Sequence, residues 1–96
     1  MSGEIEVFDT LLFCTRLVPG GRAYFHACIG IDHSLGYTVY PLTIRTWTVL
    51  DGVRGDVDTE TQVIPEKGDH VAAALEVAHE ASERWVVALQ VAEGQR

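Results

Sequence analysis

Residues 42–66, LTIRTWTVLDGVRGDVDTETQVIPE, decide how the chain folds. Two β-rich runs flank Asp51-Gly52. Asp-Gly suits the two-residue type I′ turn, which needs positive φ at both central positions. Counting outward from that turn pairs Leu50 with Val53, Thr48 with Gly55, Thr46 with Val57, Ile44 with Thr59, Leu42 with Thr61 and Tyr40 with Val63. Side chains alternate along a strand, so these pairs share a face. Leu50, Val53, Val57, Ile44, Leu42, Tyr40 and Val63 make that face apolar, and it is assigned to the core. The reverse face then pairs Val49 with Arg54, Trp47 with Asp56, Arg45 with Asp58 and Thr43 with Glu60. A slip of one residue would exchange the two sets.

The first third of the chain reads as a second hairpin. Residues 4–18 form one arm, Pro19-Gly20-Gly21 the turn, and residues 22–31 the other arm. A three-residue loop places Leu17 opposite Ala23, Thr15 opposite Phe25, Phe13 opposite Ala27 and Leu11 opposite Ile29, on a core face. The other face pairs Arg16 with Tyr24, Cys14 with His26 and Leu12 with Cys28. Residues 32–36, DHSLG, read as a loop, and the third strand runs over 37–50. Pro41 lacks a ladder donor, so it marks a bulge or the edge of pairing.

Pro65 ends the fourth strand, and Glu66-Lys67-Gly68 is a link. Asp69 is placed to cap a helix. No Gly or Pro occurs from 70 to 93, and Val71, Ala74, Leu75, Ala78, Ala81, Trp85, Ala88, Leu89 and Ala92 recur at spacings of three and four. Residues 84–91, RWVVALQV, also alternate like a fifth strand. One long helix is preferred, because no turn former separates Glu80 from Trp85. Gly94 is a natural stop. The fold class is therefore α+β: a four-stranded antiparallel meander, then one long C-terminal helix packed on one sheet face, ββββα. Residues 1–96 read as a single domain. The second sheet face, with Trp47, Tyr24, Val39, Leu12 and Val49, is left without cover inside the monomer.

The chain carries a net charge of −7, of which −1 falls in residues 1–50 and −6 in residues 51–96. Phosphate-backbone binding draws on Lys and Arg, so this balance disfavours nucleic acid and favours a partner with a basic surface. No apolar run reaches the roughly 20 residues of a membrane span. The acidic N-terminus lacks the basic start and apolar segment of a signal peptide, which places the protein in the cytoplasm, its two cysteines free.

Few constellations promise chemistry. Cys14, His26 and Cys28 are zinc- or copper-ligand types on one hairpin face, but no fourth ligand or CxxC spacing accompanies them. Asp32-His33-Ser34 has the residue types of a hydrolase triad, but adjacent residues do not reach that geometry. Asp56, Asp58 and Glu60 lack the glycine and closing Glu of an EF-hand loop. No metal, cofactor or enzymatic activity is expected. Arg16, Arg22, Tyr24, Arg45 and Trp47 share the uncovered face, the pattern of single-stranded nucleic-acid binding: aromatics to stack on bases, arginines for phosphates. Asp56, Asp58 and Glu60 on the same face would repel those phosphates.

Ile44-Arg45-Thr46-Trp47, then Asp51-Gly52, then Val63-Ile64-Pro65-Glu66 ahead of the helix, resemble the positive cofactor four and whirly families of single-stranded-DNA-binding proteins. The match covers about a quarter of the chain. It implies four strands then a helix, dimerisation through that helix, and single strands bound on the sheet side. The chain departs from the family where a basic segment is replaced by Asp56, Asp58 and Glu60.

The expectation is thus a small acidic, non-enzymatic interaction protein, an inhibitor or adaptor and a homodimer. It would bind a basic surface of a nucleic-acid-handling partner through Asp56, Asp58, Glu60, Trp47 and Arg45. Phage-type anti-defence proteins that mimic DNA work in this way. The alternative is a single-stranded nucleic-acid-binding module on the uncovered face.

Overall fold

A computed structural model describes residues 6–65 and 68–94. The Glu66-Lys67 link, the start of the first expected strand and the last two residues lie outside them. The element order is β1 (Glu6–Val18), β2 (Gly21–Ile31), β3 (Val39–Leu50), β4 (Val53–Arg54), β5 (Asp58–Pro65) and α1 (His70–Gly94). β1, β2 and β3 pair antiparallel in sequence order, and the fourth arm of the meander is broken into β4 and β5, both paired with β3. The α+β reading, ββββα, holds.

The helix forms as one piece through residues 84–91, with no fifth strand there. Its start follows the cap chemistry: the Asp69 carboxylate accepts from the backbone N–H of Val71 and of Ala72, each at 3.1 Å. Ala74, Ala78 and Ala81 form its buried stripe. Small residues there let the helix approach the sheet closely, and Phe25 and Leu42 fill the layer between them. Trp85 leans on Phe25 with ring centroids 5.6 Å apart. Val71, Ala88 and Ala92, expected on the buried stripe, are exposed instead.

Both hairpins differ in register from the expected pairing, each for a local reason. The Asp51-Gly52 turn forms as expected, with φ of 53° and 78° and Leu50 opposite Val53. Gly55 then donates to the Thr48 carbonyl at 2.8 Å, but the next pair is Thr46 with Asp58. Two residues, Asp56 and Val57, stand opposite Trp47 alone, which is a β-bulge. Past it every side chain of the arm changes face. Ile64, not Val63, sits opposite Tyr40 and is buried. Leu50, Val53, Val57 and Val63 are exposed, while Tyr40, Leu42 and Ile44 keep their place in the core.

The first hairpin closes with a two-residue loop, Pro19-Gly20, not three. Gly20 takes φ 89°, which suits the glycine position of a type II turn after proline. Val18 therefore meets Gly21, and Arg16, Cys14 and Leu12 face Ala23, Phe25 and Ala27 on the covered side. Phe13 and Leu17, expected in the core, are exposed on the other side. Val39, expected on the uncovered face, is buried. Pro41 marks the edge of pairing with β2, whose ladder to β3 ends at Ile29 and Leu42.

Candidate nucleic-acid interface

The face of the sheet away from the helix is built from cross-strand rows. One row runs Leu17, Arg22, Val49, Arg54. The next runs Thr15, Tyr24, Trp47, and a third runs Phe13, His26, Arg45, Thr59. Tyr24 and Trp47 stack at 5.3 Å between centroids with planes 11° apart. Phe13 continues the aromatic surface, 6.2 Å from Tyr24 and edge-on to His26 at 5.8 Å. An Arg22 guanidinium N–H donates to the Thr15 hydroxyl at 3.4 Å, holding that side chain beside the aromatic row. His26 Nε2 and the Thr10 hydroxyl are 2.8 Å apart.

The aromatic row thus lies between two rows that carry cations: Arg22 and Arg54 on one side, Arg45 on the other. Successive rows on one face are about 6.6 Å apart along the strands. That spacing is close enough for one nucleotide to place its base on the ring and its phosphate on a guanidinium.

Of the residues singled out from sequence, Arg22, Tyr24, Arg45 and Trp47 come together here. Arg16 does not: the shorter loop sets it opposite Ala23, on the helix side. The acidic three are dispersed by the bulge. Asp58 pairs with Thr46 and Glu60 with Ile44, on the helix side, and Asp56 alone stays in the bulge opposite Trp47. The expected Arg45–Asp58 charge pair is replaced by Arg45 opposite Thr59. Phe13 and His26 join the site unforeseen, Phe13 because the loop length turned it over. Arg54 was already on this face in the sequence pairing, and its arginine neighbour across Val49 was the overlooked signal.

The Cys14–His26–Cys28 grouping dissolves as well. Cys14 lies opposite Phe25 on the covered side, and the buried Cys28 thiol donates to the Thr43 carbonyl at 3.8 Å. Among the described residues no three His, Cys, Asp or Glu side chains are grouped to hold a metal ion. Asp32-His33-Ser34 forms a turn in which the Ser34 N–H donates to the Asp32 carboxylate at 2.8 Å. Hydrogen bonding from Ser34, side chain and then backbone, holds the Asp32 carboxyl below its ordinary value, with a smaller contribution from His33. No described helix is long and apolar enough to cross a membrane.

No family model matches this chain, and neither a curated protein nor a solved structure matches it.

Proposed function

We propose that the protein binds single-stranded nucleic acid on the open sheet face, with Tyr24, Trp47 and Phe13 stacking on bases and Arg22, Arg45 and Arg54 meeting phosphates. The observation that carries this is the stacked Tyr24–Trp47 pair bracketed by arginine rows, with Asp58 and Glu60 turned to the other side. The main objection from charge was the acidic arm on that face, and the bulge removes two of its three carboxylates. The resemblance to the positive cofactor four and whirly families supports the same face. Binding of a labelled oligonucleotide at low salt tests the reading. Removing a stacking ring costs about 1–3 kcal/mol per base, so Trp47→Ala weakens binding on the order of 5- to 150-fold. Three phosphate contacts give a slope of about −2 in log affinity against log salt. Absence of binding at low salt sinks the proposal.

A second reading is favoured by the exposure of Asp56, Asp58 and Glu60 along one edge of the sheet. In it, that acidic edge docks a basic protein surface, as an inhibitor or adaptor would. Asp56→Lys, Asp58→Lys and Glu60→Lys together would abolish such docking, and undiminished capture of a basic nucleic-acid-handling partner by the triple variant would end the idea. Under either reading the protein is a homodimer. Supporting this, Val71, Val87 and Val91 are exposed on α1, and the radius of gyration is 15.3 Å against about 12.5 Å for a compact domain of this length. Light scattering at the mass of one chain across micromolar concentrations would refute the dimer.

A further inference from the structure

The two margins of the sheet are guarded differently. On one side β5 carries Asp58 and Glu60 and ends at Pro65, and charges and proline of that kind keep a strand edge from pairing with another chain. The opposite margin is β1, which pairs with β2 alone among the described strands. From Thr10 to Val18 it holds no acid, no proline and one cation, Arg16. Its register shifts lie before Leu12, and from there to Val18 the strand is regular. A two-residue loop is bracketed by a pair that exchanges both backbone hydrogen bonds, here Val18 with Gly21. Alternation then turns the N–H and C=O groups of Arg16, Cys14 and Leu12 toward β2 and those of Leu17, Thr15 and Phe13 outward. The three outward residues also put their side chains on the open face, where Phe13 is 52% and Leu17 68% exposed.

We infer that the edge of β1 is the seam of the homodimer. It pairs antiparallel with β1 of a second copy, about a two-fold axis normal to the sheet that sets Thr15 opposite the partner's Thr15. This deepens the dimer reading above by naming its surface. A seam of this symmetry keeps like faces together, so both helices lie on one side of the joined sheet. Centred on Thr15, Phe13 faces the partner's Leu17 and Leu17 faces the partner's Phe13, which covers exposed apolar side chains at both ends. On the helix side Leu12 faces the partner's Val18 and Cys14 faces the partner's Arg16. A centre at Arg16 would set two guanidinium groups against each other. A centre at Cys14 would set Leu12 against the partner's Arg16 and Phe13 against the partner's Thr15. The self-complementary spacing of Phe13 and Leu17 about Thr15 is what selects a second copy as the occupant.

The seam also extends the open face. The row Thr15, Tyr24, Trp47 meets its own copy at the axis, so two stacked Tyr24–Trp47 pairs stand in one line across the dimer. Neighbouring strands are about 4.8 Å apart, and three such steps set the two Tyr24 positions about 14 Å from each other. On the nucleic-acid reading, one single strand crossing the seam meets both pairs. The seam itself does not depend on that reading.

Amide hydrogen exchange of the full chain tests the seam residue by residue. In the dimer the outward N–H groups of Phe13, Thr15 and Leu17 are protected along with those of Cys14 and Arg16. On dilution to the monomer the first three exchange freely while the other two stay protected. Light scattering supplies the second measurement. Phe13→Glu and Leu17→Lys, each alone and each at an exposed position, shift the mass from two chains toward one. The double variant Phe13→Glu, Leu17→Lys brings opposite charges face to face at both ends of the seam, and dimerises more strongly than either single variant. A natural chain with the mass of one chain overturns the seam and the dimer together. A dimer whose Phe13, Thr15 and Leu17 amides exchange freely overturns the seam and leaves the dimer to another surface. A double variant that dimerises no better than either single one overturns the register, and the proposal with it.

Discussion

The two faces of this sheet are both apolar, yet only one carries a helix. On the covered face Ala23, Ala27 and the helix alanines 74, 78 and 81 are small, and Phe25 and Leu42 complete the layer. On the open face the same strands carry Phe13, Tyr24 and Trp47, wide rings interleaved with arginine. A helix cannot lie flat on that row without desolvating its guanidinium groups. Hydrophobic content alone therefore does not identify the covered face; side-chain size and the placement of cations do.

That contrast can be broken by truncating neighbours that point opposite ways. Phe25→Ala opens a cavity beneath the helix and is expected to cost about 3–5 kcal/mol in denaturant unfolding. Tyr24→Ala, one residue earlier on β2, removes a half-buried ring of the open face and costs on the order of 0.5–1.5 kcal/mol for the lost aromatic pair. Equal losses would mean that the open face is buried in the folded protein, as it would be if a second copy covered it. Asp69→Ala sharpens the helix side: loss of the cap costs about 1 kcal/mol, with no change in oligonucleotide affinity. A fall in affinity would tie the helix to the binding face.

The smallest effect lies in the loop that joins the two faces' central strands. The folded Asp32 carboxyl is held below 3.8, its ordinary value, by Ser34. Its contribution is present in full above the unfolded value and is lost as pH falls through the folded one. The stability difference between the natural chain and Asp32→Asn is thus constant near neutrality and shrinks below about pH 4. A difference that instead grows on acidification contradicts the assigned hydrogen bond.

The helix, its cap and the Asp51-Gly52 turn were legible because each rests on short-range chemistry. A Gly-free run, a carboxylate before an apolar period and an Asp-Gly pair leave little choice. The registers were less so. Pro19-Gly20-Gly21 can close with two or three residues, and the choice turns β1 over. The discriminating fact is spatial: a Cβ on Gly21 would come 1.9 Å from the Val49 carbonyl oxygen, so this residue must be glycine within the ladder. In the other hairpin Gly55 was the one hint of a bulge, since glycine inside a strand weakens pairing. Alternation favoured an unbroken arm, because Val53, Val57 and Val63 keep parity with one another. The open-face cluster was read in part, through Tyr24, Arg22, Arg45 and Trp47. Phe13 was missed because its place depends on the length of the first loop, whereas His26 lay on this face in the expected pairing and was read only as a ligand type beside Cys14.

One backbone contact has consequences for handling the molecule. The Asp51 N–H donates to the Gly20 carbonyl at 3.0 Å, so the tips of both hairpins are tied together. An affinity tag or a circular-permutation cut placed at either tip would sever that tie and release two hairpins at once. The loop over residues 32–38, at the far end of the sheet, is held mainly by contacts of its own: Ser34 to Asp32, and His33 to Thr38 at 3.1 Å. It is there that the chain accepts new termini or a reporter with the sheet intact.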